Sequence, residues 1–121
     1  MPPEHDPAAC LAAILDNIAS IEDYTAGLEQ DAFERDELTR DAVERCIARV
    51  CTALSRLGEC APALMPDRSW GDVAGVGDRL HRSCQPVEAD RVWAVVQRDL
   101  QALKLSAALT LDRLGDGTGD G

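Results

Sequence analysis

The stretch that decides the fold runs from Leu38 to Leu64 and reads LTRDAVERCIARVCTALSRLGECAPAL. Its apolar residues recur every three or four positions, which is the spacing of one face of an α-helix. They are Leu38, Ala42, Cys46, Val50, Leu54, Leu57, Ala61 and Leu64. Charged side chains such as Glu44 and Arg49 occupy the opposite face. The stretch therefore predicts a long amphipathic helix, which Pro62 should bend or end.

A second helix is expected upstream. Asp6 and Pro7 provide a capping residue followed by proline at the first helical position. The apolar face then consists of Leu11, Ile14, Leu15, Ile18 and Ile21. Gly27 is a plausible stop, and a short extra turn around Phe33 can connect this helix to the next one.

Two helices are expected downstream. Residues 69–72, Ser-Trp-Gly-Asp, read as a capping box for a short third helix through Val76 and Leu80. Pro86 separates it from a fourth helix, which Gly115 should end. The core face of the fourth helix comprises Val92, Val96, Leu103, Ala107, Leu111 and Leu114, widened by Trp93 and Leu100.

These patterns predict an all-α fold. No segment has the alternating pattern of a strand, and four amphipathic helices of this size form an antiparallel up-and-down bundle. The sequence therefore predicts one helical domain over residues 1–115, with four main helices and a fifth short one. Residues 116–121 are polar and rich in glycine, so we expect a disordered tail there.

Composition narrows the functional classes. The net charge of −10 disfavours general nucleic-acid binding, which usually needs a basic face. No apolar run approaches the ~20 residues that span a membrane, and the first residues lack the basic segment of a signal peptide. We therefore expect a cytoplasmic protein that does not enter a membrane.

The five cysteines and two histidines do not form a recognisable site. The cysteines (Cys10, Cys46, Cys51, Cys60 and Cys84) are odd in number and contain no CxxC pair, which favours reduced thiols. No P-loop, GxSxG or HExxH motif is present. We expect no metal and no cofactor.

Several segments, taken in order, resemble one known family. They are Ile14-Leu15-Asp16-Asn17-Ile18, Val43-Glu44-Arg45, Leu57-Gly58-Glu59-Cys60, residues 69–76 (SWGDVAGV) and residues 92–100 (VWAVVQRDL). This set, from about Leu11 to Leu103, resembles the HepT-like family of the HEPN superfamily. The resemblance implies a small helical bundle, a homodimer, and ribonuclease activity as the toxin of a toxin–antitoxin pair. The implied antitoxin is a minimal nucleotidyltransferase of the MntA type.

The family's catalytic motif is Arg-x4–6-His, commonly Arg-Asn-x-x-x-His-x-Tyr. A histidine can move a proton near neutral pH, and an arginine can hold a phosphate, which suits metal-free RNA cleavage. The tyrosine is where the nucleotidyltransferase attaches AMP.

This sequence departs from that motif at each decisive position. The arginine, asparagine, histidine and tyrosine positions hold Gly77, Asp78, Arg82 and Cys84. His81 lies one residue early, which turns a helical side chain by about 100°. Arg79 and His81 remain as residual basic groups.

Three hypotheses follow. In the first, which we favour, the chain is an inactive HepT-like subunit that dimerises and binds a nucleotidyltransferase. In the second, it is a metal-independent RNA endonuclease that uses Arg82, Arg79 and His81, and only then is RNA a partner. In the third, the bundle binds a nucleotide.

Overall fold

The computed structural model describes residues 6–64, 73–82 and 87–120, and within these ranges the fold is all-α, as predicted. The helices are α1 (Pro7–Thr25), α2 (Gln30–Arg35), α3 (Glu37–Cys60), α4 (Val73–Arg82), α5 (Ala89–Ala94) and α6 (Leu100–Asp120). A π-helical turn, Val95–Asp99, joins α5 to α6. These last three segments follow one another without a break, so they form the predicted fourth main helix. The short helix α2 contains Phe33, as expected.

Local capping explains where α1 begins and ends. The Asp6 side chain accepts a hydrogen bond from the Ala8 backbone N–H at 3.2 Å, and Pro7 occupies the first helical position. After Thr25 the chain leaves the helix, and Gly27 has a φ of 77°. This left-handed conformation suits glycine, which has no Cβ to clash with its own backbone. Both predicted boundaries are confirmed.

Local interactions also determine where the long helix α3 begins and ends. Asp36 caps its first turn by accepting hydrogen bonds from the Thr39 backbone N–H at 3.1 Å and from the Thr39 hydroxyl at 2.7 Å. These hydrogen bonds hold the pKa of Asp36 below its usual value, because they stabilise the carboxylate. The helix ends at Cys60, two residues before Pro62, as the sequence predicts.

The core lies mainly between α1 and α3, whose packing is the most extensive in the described part of the chain. Helix α1 contributes Cys10, Leu11, Ile14, Ile18 and Ile21, and helix α3 contributes Val43, Cys46, Ile47, Val50, Ala53 and Leu57. Leu38 was predicted to belong to this face but is 82% exposed. The prediction is wrong because Val43 and Ile47 define the buried face, and Leu38 lies on the opposite side of the helix with Arg45.

Two contacts show that α1 runs antiparallel to its neighbours. Glu22, near the end of α1, accepts hydrogen bonds from Lys104 at 3.0 Å, and Lys104 lies near the start of α6. At the other end of α1, burial raises the pKa of the Cys10 thiol, and Cys60, the last residue of α3, lies close enough to add to the shift. Each pair joins the end of one helix to the start of another, as in the predicted bundle.

The last helix differs from the prediction at two places. Its π-helical turn was not anticipated, although the predicted core residues Val92, Val96 and Leu100 are buried around it. The helical backbone also continues through Gly115 to Asp120. Gly115 is therefore not the end of the helix, since glycine weakens a helix by about 1 kcal/mol but does not forbid it. The disorder expected for residues 116–121 stays a prediction.

Short α2 is held against the last helix by an aromatic contact. Phe33 is fully buried, and its ring centroid lies 5.1 Å from that of Trp93. This contact uses two of the few aromatic residues in the chain. None of the helices in the described ranges has the length and apolar character that would carry it across a membrane.

Replacing Gly27 tests the left-handed turn after α1. No heavy atom lies within 4 Å of the position that a Cβ would occupy there, so a substitution acts only through the backbone. We expect Gly27→Ala to lower the free energy of unfolding by about 1–2 kcal/mol. Gly27→Asn should cost less, because asparagine tolerates this conformation better than alanine. Urea denaturation measures both, and equal stability of Gly27→Ala and the native chain would contradict the assignment.

Candidate functional site

Of the positions that the resemblance assigns to the family's motif, Gly77, Asp78 and Arg82 lie on α4. Gly77 is buried, Asp78 is exposed and Arg79 is partly exposed. His81 and Arg82 form the last two residues of the helix. Cys84 lies outside the described residues, as do residues 69–72, the predicted capping box. Within α4, the motif positions therefore begin at a residue that faces the interior.

Gly77 lies directly against α3. A Cβ added to Gly77 would stand 2.8 Å from the Cβ of Cys51 and closer still to its sulfur. Real Cβ atoms essentially never approach another heavy atom so closely, and the Cys51 Cβ is fixed to the backbone of α3. The two helices therefore meet at a point where position 77 has no room for a side chain.

Cys51 is the residue that fills this space. Its thiol donates a hydrogen bond to the Val73 carbonyl oxygen at 3.4 Å, which ties the middle of α3 to the first turn of α4. Burial raises the pKa of Cys51 to about 11, and the negative charge of Asp78 adds to the shift. The thiol is therefore protonated at neutral pH, and it acts as a small, half-buried donor and not as a nucleophile.

Sequence reasoning missed the role of Cys51. The resemblance assigns Gly77 to the family's arginine position, but the spacing of apolar residues in α3 does not identify the residue that contacts position 77. The only available signal was that Cys51 lies one turn after Ile47, at the margin of the buried face. The contact depends on how α4 crosses α3, and helical periodicity does not specify that crossing.

An arginine at position 77 is incompatible with this packing. The Cβ of the arginine would overlap Cys51, and the rest of its side chain would have to extend out of the interface between α3 and α4. Either α4 would have to move away from α3, or Cys51 would have to be lost. An arginine at position 77 and a cysteine at position 51 are therefore mutually exclusive in this packing.

Outside α4, the residues that carry the family resemblance belong largely to the scaffold. Ile14, Ile18 and Val43 are fully buried, and Trp93 is half-buried against Phe33. Glu44 is partly exposed, and burial raises the pKa of its carboxyl group. These residues therefore belong to the packed bundle.

The described residues offer little alternative chemistry. No group of three or more histidine, cysteine or acidic side chains among them is arranged to hold a metal ion. Asp78 and Arg79 are adjacent on α4, but the Cys51 thiol beside Asp78 is not a base at neutral pH. Of the polar side chains of α4 that the structure describes, Asp78 is exposed and Arg79 is partly exposed.

Filling position 77 tests the α3–α4 contact. Alanine normally stabilises a helix relative to glycine, yet we expect Gly77→Ala to lower the free energy of unfolding by about 1–3 kcal/mol, because its Cβ overlaps Cys51. Gly115→Ala is the matched control, since no heavy atom lies within 4 Å of a Cβ there. That variant should be neutral or more stable by up to about 1 kcal/mol. Stabilisation of both variants in denaturant titrations would disprove the close contact.

The raised pKa of the half-buried Cys51 thiol predicts a specific loss of stability at alkaline pH. The folded chain holds the Cys51 proton more tightly than the unfolded chain, whose thiol has a pKa near 9.0. This contribution to stability is complete below pH 9 and is lost as the pH rises to about 11. Between these values the free energy of unfolding should fall more steeply for the native chain than for Cys51→Ala. Parallel curves for the two proteins would count against the burial of this thiol.

Comparison with known proteins agrees with the resemblance seen in the sequence. The model of the family described as Ribonuclease HepT-like matches residues 14–108, from within α1 to within α6. Putative RNase MJ0127 of Methanocaldococcus jannaschii is 29% identical to this chain over 94 residues, which cover 78% of each protein. No solved structure matches the chain. Because the family model spans most of its length, including α4, this chain belongs to the Ribonuclease HepT-like family.

Proposed function

We propose that this chain is a HepT-like protein whose own ribonuclease site is inactive, and that it acts by dimerising and binding a partner. The observation that carries the proposal is the contact between Gly77 and Cys51. Position 77, where the resemblance places the phosphate-binding arginine, has no side chain and no space for one. Without that cation, the developing charge on a phosphate loses its stabilising group.

The rest of the motif supports the same conclusion. Arg82 stands at the histidine position, and a guanidinium stays protonated in proteins, so it cannot serve as a general base. The net charge of −10 also gives RNA little general attraction to the surface. The described residues, by contrast, form a packed core, which a scaffold that is retained for binding requires.

The proposed partner is a nucleotidyltransferase of the MntA type, within a toxin–antitoxin system. In active members of the family, this enzyme attaches AMP to a tyrosine of the motif. Cys84 stands at that position here. The partner would therefore bind this chain without attaching AMP to that residue. Co-expression with the candidate nucleotidyltransferase should yield a stable complex without AMP on the residue at position 84.

A second candidate is an active, metal-independent ribonuclease that uses Arg79, His81 and Arg82. The description of the family and the name of the archaeal relative favour this activity. Arginine could hold a phosphate and His81 could transfer a proton, but the space that the family gives to its arginine is closed by Cys51. We therefore rank this function second.

An RNA cleavage assay separates the two functions. We expect the purified native chain to leave single-stranded RNA intact in the presence of a metal chelator, at the rate of a buffer control. A restored variant carries Gly77→Arg, Arg82→His and Cys51→Gly, and the last change removes both atoms that a side chain at position 77 would meet. We expect this variant to cut RNA, because it regains the cation and the proton-transfer group.

The control for contamination is a chain in which Arg79, His81 and Arg82 are all replaced by alanine. If the native chain cuts RNA and this control does not, the proposal of inactivity is wrong and the second candidate holds. If both cut at the same rate, the activity belongs to a contaminant, and the assay is repeated on more highly purified protein.

A further inference from the structure

Two cysteines lie at one end of the packing between α1 and α3. Cys10 is in the first turn of α1 and is buried, and Cys60 is the last residue of α3 and is half-buried. Both are free thiols. Burial raises the pKa of the Cys10 thiol, and the Cys60 thiol is near enough to raise it further. Two residues that are far apart in the sequence are therefore neighbours in the fold.

The register of the two helices places the same two residues opposite one another. In an antiparallel pair, each step forward along one helix is matched by an equal step back along the other, because both rise by about 1.5 Å per residue. Starting from Cys10 and Cys60, this matching pairs residues that are all buried. The pairs are Ile14 with Leu57, Ile18 with Ala53, and Ile21 with Val50. The two cysteines are therefore the last layer of this buried interface.

The distance across two packed helices is compatible with a disulfide. The axes of such helices lie about 8–10 Å apart, and each Cα lies about 2.3 Å from its own axis. Two Cα atoms that face one another are therefore about 3–6 Å apart. A disulfide requires a Cα separation of about 4.4–6.8 Å, which overlaps this range. Cys60 has freedom to adjust, because the backbone of Ala61 has already left the helix.

The surroundings of the pair give the two thiols different roles. Cys60 is half-buried and Cys10 is buried, so an oxidant in solution reaches Cys60 first. Burial raises the pKa of the Cys10 thiol, but the positive charge of Arg56 opposes that rise. Arg56 lies one turn before Cys60 on α3, and a cation beside a thiol favours the reactive thiolate. Cys10 is thus placed to resolve an oxidised Cys60.

We propose that Cys10 and Cys60 are a redox-sensitive pair, which hydrogen peroxide converts into a disulfide between α1 and α3. The Cys60 sulfur attacks one oxygen of the peroxide, the O–O bond breaks, and Cys60 becomes a sulfenic acid as one water is released. The Cys10 sulfur then attacks the Cys60 sulfur, the S–O bond breaks, and the oxygen leaves with the Cys10 proton as a second water. The two thiols lose two electrons and two protons, and the peroxide is reduced to two waters.

The disulfide closes a covalent loop that contains α1 and α2 and nearly all of α3. The unfolded chain then loses conformational freedom, so the folded chain becomes more stable. The oxidised protein is thus a more stable form of the same fold, and a thiol reductant reverses the change. This inference does not depend on the proposed function, because neither cysteine occupies a position of the motif.

Peptide mapping of the native chain after treatment with hydrogen peroxide tests the pairing. Trypsin cleaves after arginine, which places Cys10 on the peptide 1–35 and Cys60 on the peptide 57–68, each with a single cysteine. We expect these two peptides to become joined, and the remaining cysteines to stay free for alkylation. The same treatment in concentrated urea is the control for geometry, and there the cross-links should be spread over several cysteine pairs.

Thermal melting of oxidised and reduced protein tests the consequence. Oxidation should raise the melting temperature of the native chain by at least about 5 °C, as expected for a loop of this length. Cys10→Ala and Cys60→Ala should show no such rise. Cys46→Ala is the matched control, since Cys46 is also a buried cysteine of the core, and it should respond like the native chain.

Three results would overturn the proposal. Alkylation of all five cysteines after oxidation would show that the pair does not react. A cross-link that includes a different cysteine, or that joins two chains, would overturn the pairing. A disulfide between Cys10 and Cys60 that leaves the melting temperature unchanged would overturn its stabilising role. Because the peptide map uses the native chain, its result holds even if a variant is too unstable to melt cooperatively.

Discussion

The apolar seam between α1 and α3 is the constraint on which the rest of the molecule depends. Each helix buries one continuous face against the other, with fully buried residues such as Ile14 and Ile47 at the centre. A buried aliphatic side chain of this size stabilises the fold by about 1.5–3 kcal/mol, so this pair is the main source of stability. The other helices attach to it: α6 packs on α1, and α4 packs on α3. The position of α4, and hence of the motif, is therefore set by the surface that α3 presents.

The surface of α3 limits which side chains α4 can carry. Cys51 stands where α4 crosses α3, and its thiol is hydrogen-bonded to the Val73 carbonyl oxygen. Close approach of the two helices is achieved by the lack of a side chain at Gly77. Under the proposed function, the family's arginine would stand at this same position, so the packing of α4 on α3 and the proposed loss of the ribonuclease site have one physical explanation.

Much of the fold could be predicted from the sequence, because it depends on local rules. Asp6, Pro7, Gly27 and Pro62 mark helix boundaries through capping and backbone geometry, and the period of the apolar residues gives the helices. Three errors remained. Gly115 was expected to end the last helix, but the backbone stays helical to Asp120. Leu38 fitted the apolar period at four-residue intervals, but a four-residue repeat drifts around a helix, and tertiary contacts decided which face is buried. The π-helical turn Val95–Asp99 left no recognisable pattern in the sequence.

The candidate site was less predictable than the fold. The resemblance assigned Gly77 and Arg82 to the arginine and histidine positions of the motif, but it did not reveal why position 77 has no room for a side chain, because that depends on Cys51, 26 positions earlier in the chain. The most direct test of the central claim is a nuclear Overhauser effect between the Hα protons of Gly77 and the Hβ protons of Cys51. The account predicts a strong signal, since a Cβ at position 77 would lie 2.8 Å from that of Cys51. No signal in an assigned spectrum of the folded chain would mean that position 77 is open, and would contradict the account.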